Sequence, residues 1–329
     1  MKWRELHVKY ARLLWAMHSA WALLSGIAVL ILAHNRYGFV RWVVLFLALT
    51  WGSTLFVSRV AGSSRLLRFA HGLVSYLTRV MYQETLFFLI PFYFYSATLR
   101  SWNFVFVLIL TFFAVLSCFD MLFDRLLREH RWFAIGFFAF VSFSALQFFL
   151  PLLLRTRIEN SEILAAAIAY LAAFALSQRW RDLADGRRLA AAALVFGAVL
   201  AGVRIVRPLL PPVPLRMTTL RVSGDLDRST LSSPASFAKE IPLAEMRRRG
   251  RIYAVATVFS PERVPARVQM RFIQNGNVLR VSRTLDLTFR PEGFRMWDSV
   301  RVPAAPQEVR VELWTAGQLL GKRTIRVVP

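Results

Sequence analysis

The sequence is poor in cysteine and in acidic residues. Its single cysteine, Cys118, excludes an intramolecular disulfide, and its place inside an apolar run favours a packing role. Only 19 Asp and Glu stand against 42 Lys and Arg, and no Cys or His residues have the spacing of a zinc site. A glycine-rich phosphate loop and a nucleophile elbow are also missing. We therefore expect a protein that is not an enzyme and that holds no metal or cofactor.

Apolar residues dominate what is present. They make up 56% of the 329 residues, and the mean hydropathy is +0.46, which is high for a soluble protein. A formal charge of +23 would suggest nucleic acid in a soluble chain. Most of this excess is arginine in short loops between apolar runs, where membrane topology accounts for it. The composition indicates a membrane protein that does not bind nucleic acid.

The apolar runs predict a membrane-embedded all-α helical bundle over residues 1–207. A crossing needs ~20 apolar residues to cover a hydrocarbon core of ~30 Å. Seven runs come near this length: Leu13–Ala33, Val40–Val57, Val80–Thr98, Asn103–Phe123, Trp132–Leu154, Ile163–Ser177 and Leu189–Ile205. Arg65–Leu77, just before the third run, is amphipathic and is predicted to lie along the membrane interface.

The loop cations predict the orientation, because cytoplasmic loops carry the excess of Lys and Arg. Fourteen cations fall on the side of the N-terminus and seven on the other, which places the N-terminus in the cytoplasm. With seven spans, the C-terminal domain lies outside the cytoplasm, in the periplasm of a bacterial inner membrane. An even number of spans would reverse this side.

The last third of the chain has the pattern of a separate strand-rich domain. The proline-rich segment 208–216 predicts a stiff linker, and short strands follow over residues 217–329. Asn275-Gly276 and Ala316-Gly317 predict tight hairpins. Arg283 interrupts an apolar alternation, which predicts a bulge or a buried partner there. The number and spacing of the strands are typical of an all-β sandwich of the immunoglobulin-like kind.

Several segments resemble an uncharacterised bacterial membrane-protein family of unknown function. They are Gln83–Tyr93 with Ser96 in the membrane half, and Gly250–Ala254, Asn275-Gly276, Gly293–Trp297 and Gly317–Gly321 in the C-terminal part. The resemblance implies a multi-helix membrane half followed by a small all-β domain. The chain departs from the family at Gln269 and Phe272, where His and Trp are frequent. The resemblance implies no activity.

Ionisable residues inside apolar helices are the first candidate site, because a charge at depth in a membrane is costly. Arg79 directly precedes the third run, which carries Gln83 and Glu84. The fourth run carries Asp120 and is followed directly by Asp124, four residues further on the same helix face. We expect Arg79 to pair with one or both aspartates. The alternatives are side chains that reach the headgroups without pairing, or a proton or ion pathway.

Three arginines of the strand-rich domain, Arg267, Arg271 and Arg280, are predicted to form a basic face on one hairpin. A solvated face is the plain interpretation. The alternative is a binding face for anionic headgroups, an acidic envelope polymer or an acidic protein.

These features favour an envelope protein that presents its exported domain to a protein partner or to a second copy of itself. The second hypothesis is a channel or transporter with a regulatory external domain, working through Arg79, Glu84, Asp120 and Asp124. The third, a membrane-embedded enzyme acting on lipid-linked substrates, needs a cluster of His and carboxylates that the sequence does not offer.

Overall fold

The structure is a computed structural model of the chain. It describes residues 65–178, 185–227, 229–231, 240–261, 263–302, 305 and 307–329, with eight scattered positions before residue 65. For residues 65–79, 120, 121 and 245 it describes the backbone alone. The first two predicted spans, Leu13–Ala33 and Val40–Val57, fall almost entirely outside the described residues.

The described part begins with six helices, which we number in chain order. They are α1 (Arg65–Ser96), α2 (Asn103–Ser117), α3 (Asp120–Glu129), α4 (Arg131–Leu154), α5 (Ile158–Ser177) and α6 (Gly186–Val206). Helix α1 joins the predicted interfacial segment and the predicted third span in one helix of 32 residues, with Pro91 inside it. Helix α5 begins five residues earlier than its sequence pattern suggests.

The fourth predicted span is broken between α2 and α3. The Ser117 hydroxyl and the Cys118 thiol both donate to the Ala114 carbonyl, at 2.7 and 3.4 Å, in competition with the backbone ladder. The amides of Cys118 and Phe119 bond three residues back, which tightens and ends the helix. The segment Leu122–Glu129 then runs at 101° to α2.

The prediction of a seven-span bundle is wrong. Among the described residues, three helices are long and apolar enough to cross a membrane: α4, α5 and α6 continued to Leu209. A fourth is added only if α2 and the bent segment after it form one span. The length of an apolar run does not show where a helix ends, and the hydrogen bonds that end α2 interrupt the fourth run.

Contacts divide the chain into two compact units. The first comprises Met1–Phe92, Val107–Phe149 and Glu162–Arg204, and the second comprises Tyr93–Phe106, Leu150–Ser161 and Ile205–Pro329. In the first unit, aromatic side chains of α1 and α4 pack together; the rings of Phe92 and Phe148 are 4.5 Å apart. The second unit contains the α1–α2 turn and the α4–α5 turn in addition to the C-terminal part.

The C-terminal part contains nine described strands and one short helix. In chain order they are β1 (Arg216–Ser223), β2 (Glu240–Pro242), α7 (Leu243–Arg249), β3 (Arg251–Phe259), β4 (Arg267–Gln274), β5 (Asn277–Val281), β6 (Leu285–Asp286), β7 (Phe294–Arg301), β8 (Gln307–Thr315) and β9 (Gln318–Val328). The smaller sheet has the order β1-β3-β7. The larger has the order β2-β9-β8-β4-β5, with β6 also paired to β4.

Both predicted tight hairpins are confirmed. Asn275 and Gly276 have φ of 47° and 86°, and they join β4 to β5. Ala316 and Gly317 have φ of 51° and 81°, and they join β8 to β9. Positive φ at both central residues gives the turn a twist that matches the strands beside it.

The two sheets share one hydrophobic core, built from alternating residues such as Val258 of β3 and Met270 and Phe272 of β4. The prediction of an all-β immunoglobulin-like sandwich is nevertheless wrong. The larger sheet is mixed, because β2 pairs parallel to β9 while its other pairs are antiparallel. Helix α7 also contributes to the core through the fully buried Met246. The sequence pattern gave no strand or helix at residues 240–249, so this element was missed.

The predicted stiff linker is part of the packed interior. After a short 3-10 turn at Arg207–Leu209, residues 210–215 are all buried. Val213 and Leu215 have no exposed surface, and Leu215 belongs to the hydrophobic core together with Ile158 from the α4–α5 turn. The prolines therefore shape a packed segment of the second unit.

Candidate functional site

The predicted intramembrane cluster is described only in part. On α1, Gln83 is buried and Glu84 is half-buried. The side chains of Arg79 and Asp120 lie outside the described residues, so the pairing expected between them stays a prediction. Asp124 is half-buried on α3, where the Arg128 guanidinium donates to its backbone carbonyl at 3.3 Å.

The bend after α2 changes the depth expected for the two aspartates. Their predicted level assumed one continuous helix with a rise of 1.5 Å per residue. Asp120 and Asp124 instead lie on α3, a separate helix of 10 residues that also carries the Arg125–Glu129 pair at 3.0 Å. Their distance from the α1–α2 turn therefore cannot be counted along one helix.

Two further polar side chains of the helices were missed from the sequence. Gln147 on α4 and Glu162 on α5 have no exposed surface. Glu162 stood just before the sixth predicted span, and the earlier start of α5 brings it inside the helix. A fully buried carboxylate needs polar partners, so this position marks a polar contact inside the helical region.

The three arginines of the predicted basic face do not share one face. We call the side of the larger sheet turned away from the core its outer face. Arg267 and Arg271 lie on it, because Val268, Met270 and Phe272 between and beside them point into the core. Arg280 is opposite Phe272 in the β4–β5 register and so points to the other side.

Each of these arginines has a partner within the second unit. Arg267 pairs with Asp286 at 3.1 Å, and Arg280 pairs with Asp298 of β7 at 2.9 Å, which links the two sheets. The hydrogen bond and charge of Asp298 raise the pKa of Arg280. The Arg271 guanidinium lies 4.6 Å from the centre of the Trp314 ring. Carboxylates thus compensate the charges of Arg267 and Arg280, while Arg271 lies against an aromatic ring.

A polar network extends the outer face across β8. Glu312 accepts from the Trp314 indole at 2.8 Å and pairs with Arg310 at 2.9 Å, although only 8% of Glu312 is exposed. Arg271 is directly opposite Glu312 in the register. The network holds the Trp314 ring and the Arg271 guanidinium in place together. Sequence alternation could have revealed it, since 310, 312 and 314 are the outward positions of one strand.

Side chains of the second unit also tie the α1–α2 turn to β9. Asn103, which is 1% exposed, donates to the Leu319 carbonyl at 2.8 Å and accepts from the Thr98 amide at 3.1 Å. Lys322 donates to the Arg100 carbonyl at 2.7 Å. The bonds to the Leu319 and Arg100 carbonyls join residues more than 200 positions apart in the chain, which sequence patterns could not pair.

Arg216, the first residue of β1, lies between two aromatic rings of the second unit. Its guanidinium is 4.7 Å from the Phe259 ring centre and 5.9 Å from that of Tyr95, near the end of α1. Arg207 of the 3-10 turn donates to the Glu159 carbonyl in the first turn of α5 at 3.2 Å. The end of α1 therefore contacts the strands of its unit, and the start of α5 is bonded to the segment that leads into them.

No group of three or more His, Cys, Asp and Glu is close enough to hold a metal ion among the residues that the structure describes. The arrangement instead offers an outer face with an ordered Arg–Trp pair and the α1–α2 turn fixed to the strands. Such features suit binding, because Trp and Arg contribute strongly to protein interfaces.

Comparisons with known proteins give one family and one distant structure. No curated protein shows a significant match. The alkylpurine DNA glycosylase AlkC of Pseudomonas fluorescens, bound to DNA containing an abasic site analogue, is 11% identical with a TM-score of 0.23, over 78% of this chain and 82% of that one. This likeness is too low to indicate a fold or an activity. Residues 2–254 match a family of unknown function, DUF5924. The matched range includes Gln83–Tyr93 and ends within β3, so the chain belongs to the DUF5924 family.

Proposed function

We propose that the chain is an integral protein of a bacterial inner membrane that holds its strand-rich part outside the cytoplasm for the binding or assembly of a partner. In this proposal it does not catalyse a reaction. The observation that carries it is helix α6, which is apolar and has no buried residue. Leu194 and Ile205 are 76% and 77% exposed. At ~1.5 Å per residue such a helix is about as long as the hydrocarbon core is thick.

A bilayer removes the cost of this exposure. In water, each exposed Leu or Ile side chain forgoes ~1.5–3 kcal/mol of burial free energy. Lipid chains cover such a surface without any protein contact. Soluble monomers seldom expose a continuous apolar surface of this size, which supports the membrane placement.

The cations near the helix ends support export of the strand-rich part. Seven lie at or beside the α3–α4 and α5–α6 connections, outside the second unit: Arg125, Arg128, Arg131, Arg179, Arg181, Arg187 and Arg188. Four lie at the helix ends that belong to the second unit: Arg100, Arg155, Arg157 and Arg207. Cytoplasmic loops are the more basic ones, so this distribution supports a second unit outside the cytoplasm.

Extraction and fusion experiments test this placement. We expect the full chain to stay in the pellet when membranes are washed with alkaline carbonate. We expect alkaline phosphatase, which is active only outside the cytoplasm, to be active after Pro329 and inactive after Arg181. A soluble chain in the carbonate wash would overturn the membrane proposal. The opposite pattern of phosphatase activity would overturn the export.

The outer face of the larger sheet is where we place partner binding. The Arg271–Trp314 pair is ordered by its neighbours and stays partly exposed. A photo-crosslinker at Arg267 in the full chain, in native membranes, should join a protein partner or a second copy. The matched control is the same probe at Arg248, which is exposed on α7. Equal crosslinking at both positions, or none at Arg267, would overturn this assignment.

A further inference from the structure

The strand-rich part exposes its large apolar side chains in one place. Among the described residues after 210, those with substantial exposure all lie between 278 and 289, and we call this segment the apolar edge. They are Val278 (56%), Leu279 (47%), Val281 (49%), Leu285 (39%) and Phe289 (39%). Single exposed apolar residues are ordinary, but their concentration on one edge of a sheet indicates a contact surface.

The geometry of this edge is poorly suited to a partner strand. β5 has five residues, and β6 has two. The register between β4 and β5 passes from Phe272–Arg280 to Ile273–Val278, so Leu279 is an extra residue that bulges from the strand. Short and bulged edge strands oppose the addition of another strand. The sequence pattern predicted a bulge or a buried partner at Arg283; the bulge lies four residues earlier, at Leu279, and Arg283 is exposed.

The sheet register places one end of the apolar edge level with the tip of the β8–β9 hairpin. Val268 of β4 is opposite Leu285 on one side and Thr315 on the other, and Thr315 is opposite Gln318. The residue after Gln318, Leu319, is the one bonded by Asn103 of the α1–α2 turn. Leu285 is therefore in the row of residues beside this bond.

The α1–α2 turn itself has the composition of a membrane interface. Trp102 is 75% exposed and Leu99 is 61% exposed, with the cation Arg100 between them. Trp and Arg at helix ends are typical anchors at the headgroup level of a bilayer. The register puts Leu285 and this turn at the same end of the larger sheet.

The arginines beside the apolar edge differ in their ion pairing from those of the basic face predicted from the sequence. Arg267 and Arg280 are paired with aspartates. Arg283 and Arg290 flank Leu285 and Phe289, are exposed, and make no ion pair with another described residue. Two uncompensated cations beside exposed apolar side chains fit a surface of anionic headgroups over acyl chains.

We propose that the apolar edge docks on the anionic lipid surface of the membrane that anchors the chain. The proposal rests on the membrane placement given under the proposed function. Val281, Leu285 and Phe289 enter the boundary between headgroups and acyl chains, and Arg283 and Arg290 contact the lipid phosphates. The occupant is thus a lipid surface.

Spin labels on the full chain test the docking. In a Cys118→Ala background, a nitroxide is placed at Phe289→Cys or Val281→Cys, with Glu240→Cys on the opposite edge of the larger sheet as the matched control. The protein is reconstituted in bilayers of phosphatidylcholine with or without phosphatidylglycerol. Collisions with oxygen, which concentrates in acyl chains, and with a water-soluble nickel chelate report the surroundings of each label.

The expected result is that the labels at 281 and 289 lose nickel accessibility in anionic bilayers, while the label at 240 does not. Adding Arg283→Glu and Arg290→Glu should restore nickel accessibility at both positions. Equal accessibility at 281, 289 and 240 would overturn the docking. Shielding that persists in detergent, with spin–spin broadening between copies, would overturn it in favour of a self-contact. If the chain leaves the membrane in carbonate, the proposed function fails first, so the two failures are distinguishable.

Discussion

Helices α4 and α6 have a similar mean hydropathy, 2.0 and 2.3 over their most apolar stretches, and different surroundings. Each is apolar over 24 residues when α6 is taken through Leu209, yet 61% of the most apolar stretch of α4 is buried and none of that of α6 is. Apolar composition alone therefore does not say whether a helix packs on protein or faces lipid. The strands differ from both, because their alternation separates one buried face from one exposed face. The strand-rich part thus buries a hydrophobic core of its own, whereas α6 has no buried residue.

The largest expected effect comes from emptying the core of the strand-rich unit. Phe272 is fully buried between the two sheets, so Phe272→Ala should lower the free energy of unfolding by ~3–5 kcal/mol. Leu194→Ala on α6 should change it by less than ~0.5 kcal/mol, because that side chain is exposed. Pulse proteolysis of the full chain measures both. A similar loss for the two variants would mean that α6 packs against protein.

Two glycines sharpen the same contrast. Gly293 has φ of 94°, and a Cβ there would lie 2.7 Å from Thr257 Cγ2 and 3.2 Å from the Val258 carbonyl oxygen. Gly293→Ala should cost ~1–3 kcal/mol through strain and crowding. Gly197 on α6 has nothing within 4 Å of such a Cβ, so Gly197→Ala should cost nothing. Thermal unfolding of each variant is the measurement, and a loss at Gly197 would contradict the open surroundings of α6.

Two ion pairs give a smaller contrast. Asp298, whose side chain is 11% exposed, joins β7 to Arg280, and Asp298→Asn should cost ~1 kcal/mol. Glu129 on α3 pairs with Arg125 at the surface, and Glu129→Gln should cost ~0.3 kcal/mol. Denaturant unfolding at low and high salt measures both. Equal losses of unfolding free energy would show that the Arg280–Asp298 pair stabilises the fold no more than a surface ion pair does.

The smallest effect is expected from acid. Hydrogen bonds from the Ser229 and Thr230 hydroxyls and amides lower the pKa of Asp227 from 3.8 to about 2. The lowered value means that these bonds stabilise the fold above pH 3.8 and that their contribution is lost as the pH falls through about 2. Asp227→Asn should remove this part of the pH dependence of unfolding, measured between these two values. An unchanged dependence of the unfolding free energy on pH would show that the hydrogen bonds to Asp227 do not contribute to stability.

Features set by neighbouring residues were predictable from the sequence. The Asn275-Gly276 hairpin and the extent of α4 follow from local turn chemistry and from an uninterrupted apolar run. The end of α2 was not predictable, because it depends on which carbonyl the Ser117 hydroxyl takes. The face of Arg280 was assigned by counting alternate residues, and the bulge at Leu279 reverses that count.

Contacts between distant parts of the chain were beyond any local pattern. The pairing of Asn103 with Leu319 and the parallel pairing of β2 with β9 depend on the completed fold. Of the candidate site, the sequence identified Arg267 and Arg271 as outward-facing residues. It did not identify their partners, Asp286 and the Trp314 ring, because the register of three strands must be known to place them.

The makeup of the second unit limits how the strand-rich part can be moved between proteins. It is assembled from three separated segments, Tyr93–Phe106, Leu150–Ser161 and Ile205–Pro329. Ile158 fills part of its core, and Asn103 donates a hydrogen bond to the Leu319 carbonyl. A graft of residues 217–329 onto another anchor would leave these positions vacant. The strand-rich part therefore cannot be transferred alone, because the segments Tyr93–Phe106 and Leu150–Ser161 belong to the same unit.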